Sequence, residues 1–491
     1  MEVVDIRAAL APAVSLLCAG LVFAAGGHAI WRRVFSLSAA VLKLGIVMSM
    51  LPGSLRGTVY VFKLVDFTEG VGLAFRADAL GMFFSVVSST LWLFTTIYAI
   101  GYMEREHSRR RFFGFFALCV STTVGVSFAE NLLTLFLFYE LLTICTYPLV
   151  IHEETPEALK AGQKYLAYTL IGGAFVLIGS IVTYQLAGTM TLSQPGILPH
   201  DLDRTTLALL FACLIGGFGV KAAIMPLHGW LPSAMVAPTP VSALLHAVAV
   251  VKVGAFGILR VIYNVFGVDL LRDVGFTNYL AALAGFTIIA ASLMAIFQDN
   301  FKRRLAFSTV SQLSYIVLGA SLLTPLAATA AIAHIANQAF AKITMFFVAG
   351  AIQRTTGKTQ VHELAGIGYR MPYTMAAFTV AALSFIGVPL FAGFVTKWYL
   401  SLGALQSGAW WVVIVMLVSS LLNAVYWLPI IYAAFFKSAP WASVEVHEAD
   451  WTLLVPTLLC AAYVIMLGAT VSVPGMPFSL ARAAVTFVFG M

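Results

Sequence analysis

The stretch GVKAAIMPLHGWLPSA at residues 219–234 indicates the fold, because it places a lysine and then a proline inside an apolar run. The run begins near residue 206, so Lys221 lies far from its start and Pro226 near its end. Proline removes a backbone donor and clashes with the preceding turn, so a helix is expected to break here. In a membrane, such a break is tolerated only where it is buried in protein or lines a water-filled cavity. The stretch therefore predicts a membrane protein with an internal polar site.

Apolar runs of this kind recur along all 491 residues, of which 61% are hydrophobic and only 10% charged. Soluble domains carry about 25% charged residues, and each run here can cross about 30 Å of hydrocarbon as a helix. We predict an all-α integral membrane protein with about fourteen transmembrane helices, of which the seventh and twelfth are broken, at Pro226 and at Gly387-Val388-Pro389. The predicted spans are 9–30, 34–51, 79–100, 112–129, 131–151, 165–187, 206–225, 240–265, 278–297, 302–322, 326–352, 373–395, 410–435 and 452–472.

Basic residues are unevenly distributed among the connecting segments. With the N-terminus placed outside the cytoplasm, cytoplasmic loops hold fifteen Lys and Arg and the opposite loops hold five. This bias is the one expected from the positive-inside rule. We therefore predict a multi-pass protein of the cell inner membrane with both termini outside the cytoplasm. The net charge of +7 reflects these loops and not a nucleic-acid partner, since no basic stripe with interleaved aromatic residues is present.

The sequence carries no pattern typical of a cofactor, a metal site or a covalent nucleophile. Its five cysteines all lie inside apolar runs without metal-ligand spacing, so neither a zinc site nor a disulfide framework is expected. The longest stretch outside the spans, residues 55–78, is too short for a separate domain. We therefore expect no cofactor and no metal, and a driving force supplied by a gradient or by partner subunits.

Seven charged residues remain inside the predicted spans, and each is a candidate functional residue. A charge at a helix centre costs about 2.5–3.5 kcal/mol on insertion scales, so such residues are rare unless they have a role. Two of them lie nearer span ends and are expected to extend toward the interface; these are Lys43 and Arg260. The other five are Glu140, Lys221, Lys252, Lys342 and Lys397.

Two histidines accompany these lysines. His334, Gln338 and Lys342 follow one another at spacings of four, so they share one helical face. His246 lies six residues before Lys252, not quite on the same face. For either histidine alone, a hydrogen-bonded core residue is the alternative interpretation. Six buried cations with a single acid favour a proton or ion path over an inert scaffold.

The two broken spans each carry a lysine, Lys221 and Lys397. Interrupted helices in corresponding positions of two halves are typical of transporters built from repeats. For any single proline kink, simple packing is the alternative interpretation.

The stretches KAAIMPLHGWLPSA at 221–234 and APTPVSALLH at 237–246 closely resemble the signature of antiporter-like membrane subunits. That family is shared by respiratory complex I, membrane-bound hydrogenases and the multi-subunit Mrp cation/proton antiporters. The fourteen-span layout extends the resemblance over essentially the whole chain. The resemblance implies two inverted five-helix repeats and a polar axis in mid-membrane. It divides the chain into N-terminal helices at 1–111, a first repeat at 112–265, a second repeat at 278–435, and a last helix and tail at 452–491.

The resemblance also implies roles for individual residues. Glu140 and Lys221 correspond to the family's paired acid and lysine, Lys252 to its central bridging lysine, and Lys397 to its terminal lysine. The face that carries His334 and Lys342 matches a His-rich face in relatives. On that face Gln338 stands where a second histidine is often found, so a relay through a protonatable group at 338 is not expected.

Lysine in the eighth and twelfth spans is most similar to the D-type subunit of Mrp antiporters, and the complex I subunit called N also fits. The resemblance therefore implies a proton-translocating subunit of an Na⁺/H⁺ antiporter, moving protons along a Glu/Lys/His axis beside A-type and C-type partner subunits. A proton-pumping subunit of a redox-driven complex is the first alternative, and a scaffold or passive conductor is the second. A single intramembrane acid makes an Na⁺ site wholly inside this chain poor, since hard cations prefer several oxygen ligands.

Overall fold

The computed structural model describes residues 1–26, 28–68, 71–437, 446–471 and 473–491, and most of them are helical. The N-terminal region contains β1 (Glu2–Val4), α1 (Arg7–Ala24), α2 (Ala29–Leu55), β2 (Val59–Thr68), β3 (Val71–Ala77) and α3 (Ala79–Tyr102). The next set of helices is α4 (Arg109–Ser127), α5 (Leu132–Val150), α6 (Pro156–Ala187), α7 (Arg204–Lys221), α8 (Trp230–Ser233), α9 (Thr239–Ala247), α10 (Val250–Arg260) and α11 (Val268–Val274). A second set is α12 (Phe276–Ile296), α13 (Phe301–Ser321), α14 (Pro325–Thr356), α15 (Ile367–Arg370), α16 (Pro372–Ile386), α17 (Ala392–Gln406) and α18 (Trp410–Phe436). The chain ends with α19 (Trp451–Ala469) and α20 (Pro477–Phe489).

Each predicted span coincides with at least one of these helices, which confirms the helical membrane fold. Within the described ranges, eleven helices are long and apolar enough to cross a membrane. The other predicted spans coincide with α4, with α13 and with the pair α16 and α17, which fall short in length or composition. The figure of fourteen crossings is therefore not confirmed.

A small sheet replaces the loop expected between the second and third spans. Strands β2 and β3 pair antiparallel, and β1 pairs parallel to β2. The chain is thus not purely α-helical. The alternation of apolar and polar side chains needed for a half-buried strand is imperfect in this segment, so the pattern gave little signal. Asp78 follows β3, and its side chain accepts a hydrogen bond from the Gly81 N–H at 2.8 Å at the start of α3.

Both predicted helix breaks are confirmed. Helix α7 ends at Lys221, five residues before Pro226, and the next helix begins at Trp230. Helices α16 and α17 are separated at Gly387, whose φ of +93° lies in the left-handed region. Glycine adopts that conformation without the steric cost that a Cβ would bring.

A third break, between α9 and α10, was not expected from the sequence. Helix α9 ends at Ala247 and α10 begins at Val250, although neither proline nor glycine lies between them. A tertiary contact favours the break, because Gly254 of α10 approaches the backbone of Lys221 and Ala222 so closely that a Cβ there would overlap it. The eighth span is therefore seated against the end of α7.

Two segments form the centre of the molecule. The most apolar windows of Thr239–Phe266 and Pro325–Thr356 are 100% buried, whereas those of the other long helices are 33–72% buried. These two segments carry His246, Lys252, His334 and Lys342. More than half of the predicted site residues therefore lie in the part of the fold most remote from the lipid.

The expectation that Lys43 and Arg260 extend toward the interface is wrong. Arg260 is 2% exposed, and its Nη1 and Nη2 donate to Asp78 Oδ2 and Oδ1 at 2.6 and 2.8 Å. Lys43 is fully buried, with its Nζ 4.3 Å from the centre of the Trp92 ring. Tertiary partners that the sequence does not reveal thus hold both cations inside the protein.

All five cysteines are free, and four of them are buried.

His152 follows α5 and is wholly buried, with its ring stacked 4.7 Å from that of His107. Burial, together with the neighbouring His107 and Arg111, lowers the pKa of His152 to about 4. The fold therefore keeps this ring neutral, whereas an unfolded chain protonates a histidine near pH 6.5. Because the unfolded state binds the extra proton, the free energy of unfolding should fall as the pH drops from about 6.5 to about 4.

The variant His152→Phe is expected to keep the ring contact and to remove this pH dependence. The thermal midpoint of the detergent-solubilised protein should then fall less steeply between about pH 6.5 and 4 than that of the wild type. Equal slopes for His152→Phe and the wild type would contradict the prediction.

Candidate functional site

Lys221 is the last residue of α7 and is fully buried. Its Nζ donates a hydrogen bond to the backbone oxygen of Tyr139 on α5 and lies 3.3 Å from the centre of the Tyr139 ring. The Tyr139 hydroxyl in turn donates to the Gly217 oxygen at 3.1 Å. The carboxyl end of a helix carries partial negative charge. A lysine in the last turn of α7 is therefore favoured, and its ammonium group is held by one carbonyl and one aromatic face of α5.

Glu140 does not form the expected ion pair with Lys221 in this structure. Among the described residues no Glu140–Lys221 salt bridge is present, although the two charges interact electrostatically. Within the same ranges Glu140 Oε1 is buried without a hydrogen-bond partner. The preceding residue, Tyr139, occupies the position beside the lysine. The carboxylate instead lies against Gly173 of α6.

Gly173 leaves the space that the Glu140 carboxylate fills, since a Cβ at this position would overlap Oε1. The variant Gly173→Ala is expected to displace the carboxylate and to slow proton translocation about tenfold or more, since small misplacements of reacting groups have effects of this size. The fold should tolerate the change because the displaced atom ends a flexible side chain. The measurement is dye-reported proton uptake in membrane vesicles.

Gly216 of α7 supplies the control, because a Cβ there meets nothing within 4 Å. Gly216→Ala should retain the wild-type rate. Equal rates for Gly173→Ala and Gly216→Ala would show that the position of Glu140 does not matter.

Lys252 and His246 lie on either side of the break between α9 and α10. Both are fully buried, and in the described part of the chain neither Lys252 Nζ nor either ring nitrogen of His246 has a hydrogen-bond partner. Buried polar groups are nearly always paired, with protein or with ordered water. These atoms therefore fit a hydrated internal path better than a dry core. The ring of Phe346 covers His246, with the ring centres 4.8 Å apart.

Helix α14 carries the predicted face of His334, Gln338 and Lys342 without interruption. Lys342 Nζ donates to Ser308 Oγ at 2.8 Å and lies 4.3 Å from the centre of the Phe385 ring. Between the two ionisable residues, Gln338 is 1% exposed, and neither of its amide atoms is paired within the described ranges. An unpaired amide of this kind can order water, which is the role that remains for position 338.

At the far end of this face, His334 Nδ1 is hydrogen-bonded to Thr396 Oγ1 at 2.9 Å. The histidine ring stacks on the Tyr315 ring, with the ring centres 5.2 Å apart. Lys397 Nζ lies 5.7 Å from the centre of the same Tyr315 ring. The side chains of His334 and Lys397 thus both lie against the ring of Tyr315.

Lys397 is bound to the break between α16 and α17. Its Nζ donates to the oxygens of Phe385 and Ile386 at 2.8 and 3.1 Å, and to Ser420 Oγ at 2.8 Å. The two carbonyls end α16. The two lysines differ in this respect: Lys397 binds the carbonyls that end α16, whereas Lys221 is itself the last residue of α7 and binds a carbonyl in the middle of α5.

The seven predicted residues form two groups. Glu140 and Lys221 interact with each other. The second group is linked by electrostatic interactions of Lys252 with Lys342, of His246 with both, and of His334 with Lys252 and Lys397. The two groups touch where α10 packs on the end of α7. Four lysines with one nearby acid repel one another, so a proton bound at one of them disfavours a proton at the next.

Sequence reasoning missed the uncharged partners of these lysines on α13 and α18. Polar side chains at spacings of three or four follow one face of each helix. On α18 the intervals of four and three residues, in an otherwise apolar helix, were a signal that could have been read. The missed residues are Ser308 and Tyr315 on α13, and Ser419, Ser420, Asn423 and Tyr426 on α18.

Two family models match the chain. Residues 129–423 match the transmembrane family described as NADH:quinone oxidoreductase/Mrp antiporter. Residues 68–113 match the N-terminus of chain 5 of NADH-ubiquinone oxidoreductase, complex I. The larger match contains all seven site residues.

Relatives of two kinds are similar over nearly the full length. NADH-quinone oxidoreductase subunit N of Desulforudis audaxviator is 32% identical over 89% of this chain and 90% of its own. The D-type subunit of an Na⁺/H⁺ antiporter from Alkalihalophilus pseudofirmus is 27% identical over 90% of this chain and 89% of its own.

A solved structure shows the same architecture. A chain of the membrane-bound sulfane sulfur reductase, an archaeal respiratory membrane complex, superposes with a TM-score of 0.89 at 27% identity, covering 99% of this chain and 98% of that one. Matches of this extent to the family model and to subunit N establish the family. The chain belongs to the NADH:quinone oxidoreductase/Mrp antiporter family of antiporter-like, proton-translocating membrane subunits.

Proposed function

We propose that this chain is the D-type proton-translocating subunit of a multi-subunit, Mrp-type Na⁺/H⁺ antiporter. The observation that carries the proposal is the row of four buried lysines, Lys221, Lys252, Lys342 and Lys397, with Glu140 beside the first of them. Apart from proton transfer, such a row offers no evident benefit to a scaffold, since each buried cation is costly. The residues proposed to carry the proton are Glu140, Lys221, Lys252, His246, Lys342, His334 and Lys397.

The proposed mechanism uses charge repulsion along the row. A proton that arrives at one lysine weakens the binding of a proton at its neighbour, so charge moves stepwise toward Lys397. Glu140 sets the first step. When its carboxylate turns from Gly173 toward Lys221, it stabilises the ammonium, and when it withdraws, Lys221 releases its proton onward. A change of one pKa unit corresponds to about 1.36 kcal/mol, so a change of a few units is comparable to the energy that a proton gradient supplies.

The proposed architecture places one broken helix in each of two repeats, 112–265 and 278–435. Each break lies beside one buried lysine: Lys221 is the last residue of the helix before the first break, and Lys397 binds the carbonyls that end the helix before the second. This similarity supports the repeat assignment. We also propose that both termini lie outside the cytoplasm of the cell inner membrane, that A-type and C-type subunits are neighbours, and that the Na⁺ path requires them.

A second candidate is a proton-pumping subunit of a redox-driven complex. The observations that favour it are the 32% identity to subunit N of an NADH-quinone oxidoreductase and the 27% identity to a subunit of a sulfane sulfur reductase complex. The proposed proton path would be the same, and only the source of energy would differ.

The deciding experiment uses the complex purified from its native membrane and reconstituted in vesicles with an internal pH dye. The antiporter proposal expects proton movement on addition of Na⁺, with no iron–sulfur or flavin subunit in the preparation. Proton movement that needs an electron donor, with such subunits present, would establish the second candidate. Vesicles that respond to neither stimulus would contradict both.

A further inference from the structure

A chain of hydrogen bonds leads from Lys342 onto α18. Lys342 Nζ donates to Ser308 Oγ at 2.8 Å, Ser308 Oγ lies 3.3 Å from the Tyr426 hydroxyl, and that hydroxyl is hydrogen-bonded to Asn423 Oδ1. All four side chains are buried. The charge of Lys342 is therefore connected to an amide on a different helix through two hydroxyl groups.

The orientation of this amide is fixed by the backbone. Asn423 Nδ2 lies 2.7 Å from the Ser419 backbone oxygen, which can only accept a hydrogen bond. The amide must therefore present its NH₂ group to Ser419 and its oxygen to Tyr426. The side chain of Ser419 is also bound: its hydroxyl accepts a hydrogen bond from the Tyr315 hydroxyl at 2.7 Å. Tyr315 lies on the side of His334 and Lys397.

The fixed amide decides where the Tyr426 proton goes. The Tyr426 hydroxyl is placed to donate either to Ser308 Oγ or to Asn423 Oδ1, but it has a single proton, and Oδ1 is the nearer atom and can only accept. With that proton on the side of Asn423, Ser308 Oγ keeps its lone pairs for Lys342 Nζ. An acceptor that is not shared with a second donor favours the ammonium form over the neutral amine.

We propose that Asn423, acting through Tyr426 and Ser308, is a positioning residue that holds Lys342 in its proton-loaded state, so that release of the proton requires the amide to turn. The inference rests on the proposed proton translocation and adds a control point to it. Asn423 itself does not carry the proton, because a carboxamide has no hydroxyl-type proton to pass on.

The other groups around Lys342 do not duplicate this role. In the described residues, the titratable side chains that interact with it are Lys252 on α10 and His246 on α9, and Tyr426 through Ser308. The neighbouring helix α16 presents the Phe385 ring. Both Lys252 and His246 would repel a proton on Lys342, so within the described residues the hydrogen bond to Ser308 Oγ is the main polar contact that stabilises its charge.

The test compares pH profiles of proton translocation in vesicles that contain the complete complex. Asn423→Leu leaves the Tyr426 proton to Ser308 Oγ, whose lone pairs then serve two donors, so loading of Lys342 should need more acid and the optimum should move down by about one pH unit. Asn423→Asp places a carboxylate in the same position, so the optimum should move up. Tyr432→Phe, an exposed tyrosine on the same helix, should leave the profile unchanged.

Optima that move in opposite directions in Asn423→Leu and Asn423→Asp would support the inference. Damage to the fold would lower the translocation rate at every pH and would not shift the two optima in opposite directions. Profiles that keep the wild-type optimum, or Asn423→Leu and Asn423→Asp shifting the same way, would overturn it. Tyr426→Phe retains the aromatic ring but removes the proton for which Ser308 and Asn423 compete, so Asn423→Leu should cause no further shift when it is combined with Tyr426→Phe. A shift that persists in this double variant would come from damage to the fold and would overturn the inference. A wild-type complex that moves no protons would instead contradict the proposed function, which separates the two failures.

Discussion

Lys221→Ala is expected to abolish proton translocation while the complex still assembles. The Lys221 ammonium lies at the end of α7 and interacts electrostatically with Glu140, and its contacts are a backbone carbonyl and an aromatic face. Alanine keeps the helix but removes the proton carrier. The measurement is the initial rate of dye-reported proton movement in vesicles, with assembly followed by co-purification.

A second variant separates charge from proton exchange at the same position. Lys221→Arg retains a positive charge, but arginine does not release its proton in proteins, so this variant should also be inactive. The exposed Lys160 on α6 supplies the control, and Lys160→Ala should keep the wild-type rate. An active Lys221→Arg complex would show that only the charge matters, and an active Lys221→Ala complex would refute the mechanism.

Lys252→Met is expected to abolish translocation and yet to stabilise the fold. Its Nζ is fully buried with no partner in the described part of the protein. A buried charge without a partner is costly, so an apolar side chain of similar volume at this position should not destabilise the fold. The thermal midpoint of the solubilised complex should therefore stay the same or rise.

Lys397→Met is the matched comparison, because the Nζ of Lys397 makes three hydrogen bonds. This variant should lose both activity and thermal stability, since it leaves the end carbonyls of α16 unpaired. If Lys252→Met lowered the midpoint as much as Lys397→Met, Lys252 would be a structural anchor and not a mobile proton site.

The helix breaks at Pro226 and Gly387 could be predicted from the sequence, because proline and glycine act on the local backbone. The break at residues 248–249 could not be predicted, because it depends on close packing of Gly254 against another helix. For the same reason the charged residues could be found, but not what binds them. Lys221 and Lys397 are held by the backbone oxygens of Tyr139, Phe385 and Ile386, and a carbonyl is the same in every residue type.

The expected Glu140–Lys221 contact shows a related limit of pattern reasoning. Two residues on neighbouring helices can be matched by position, yet a rotation of one helix by a single residue decides which side chain meets the lysine. Tyr139 takes that position here. The family could be recognised from one long motif, whereas the source of energy could not, because the antiporter and respiratory relatives are similar over the same membrane core.

The interruption between α9 and α10 has a consequence for how this site tolerates change. In a continuous helix, the angular phase of His246 would dictate that of Lys252, and a distortion near one would rotate the other. Here the helix is interrupted at residues 248–249. The rotational position of α10 is therefore set by its contact with the backbone at the end of α7 and not by α9. Mutations that reorient His246 can therefore accumulate without moving the central lysine, so the two positions are free to diverge separately.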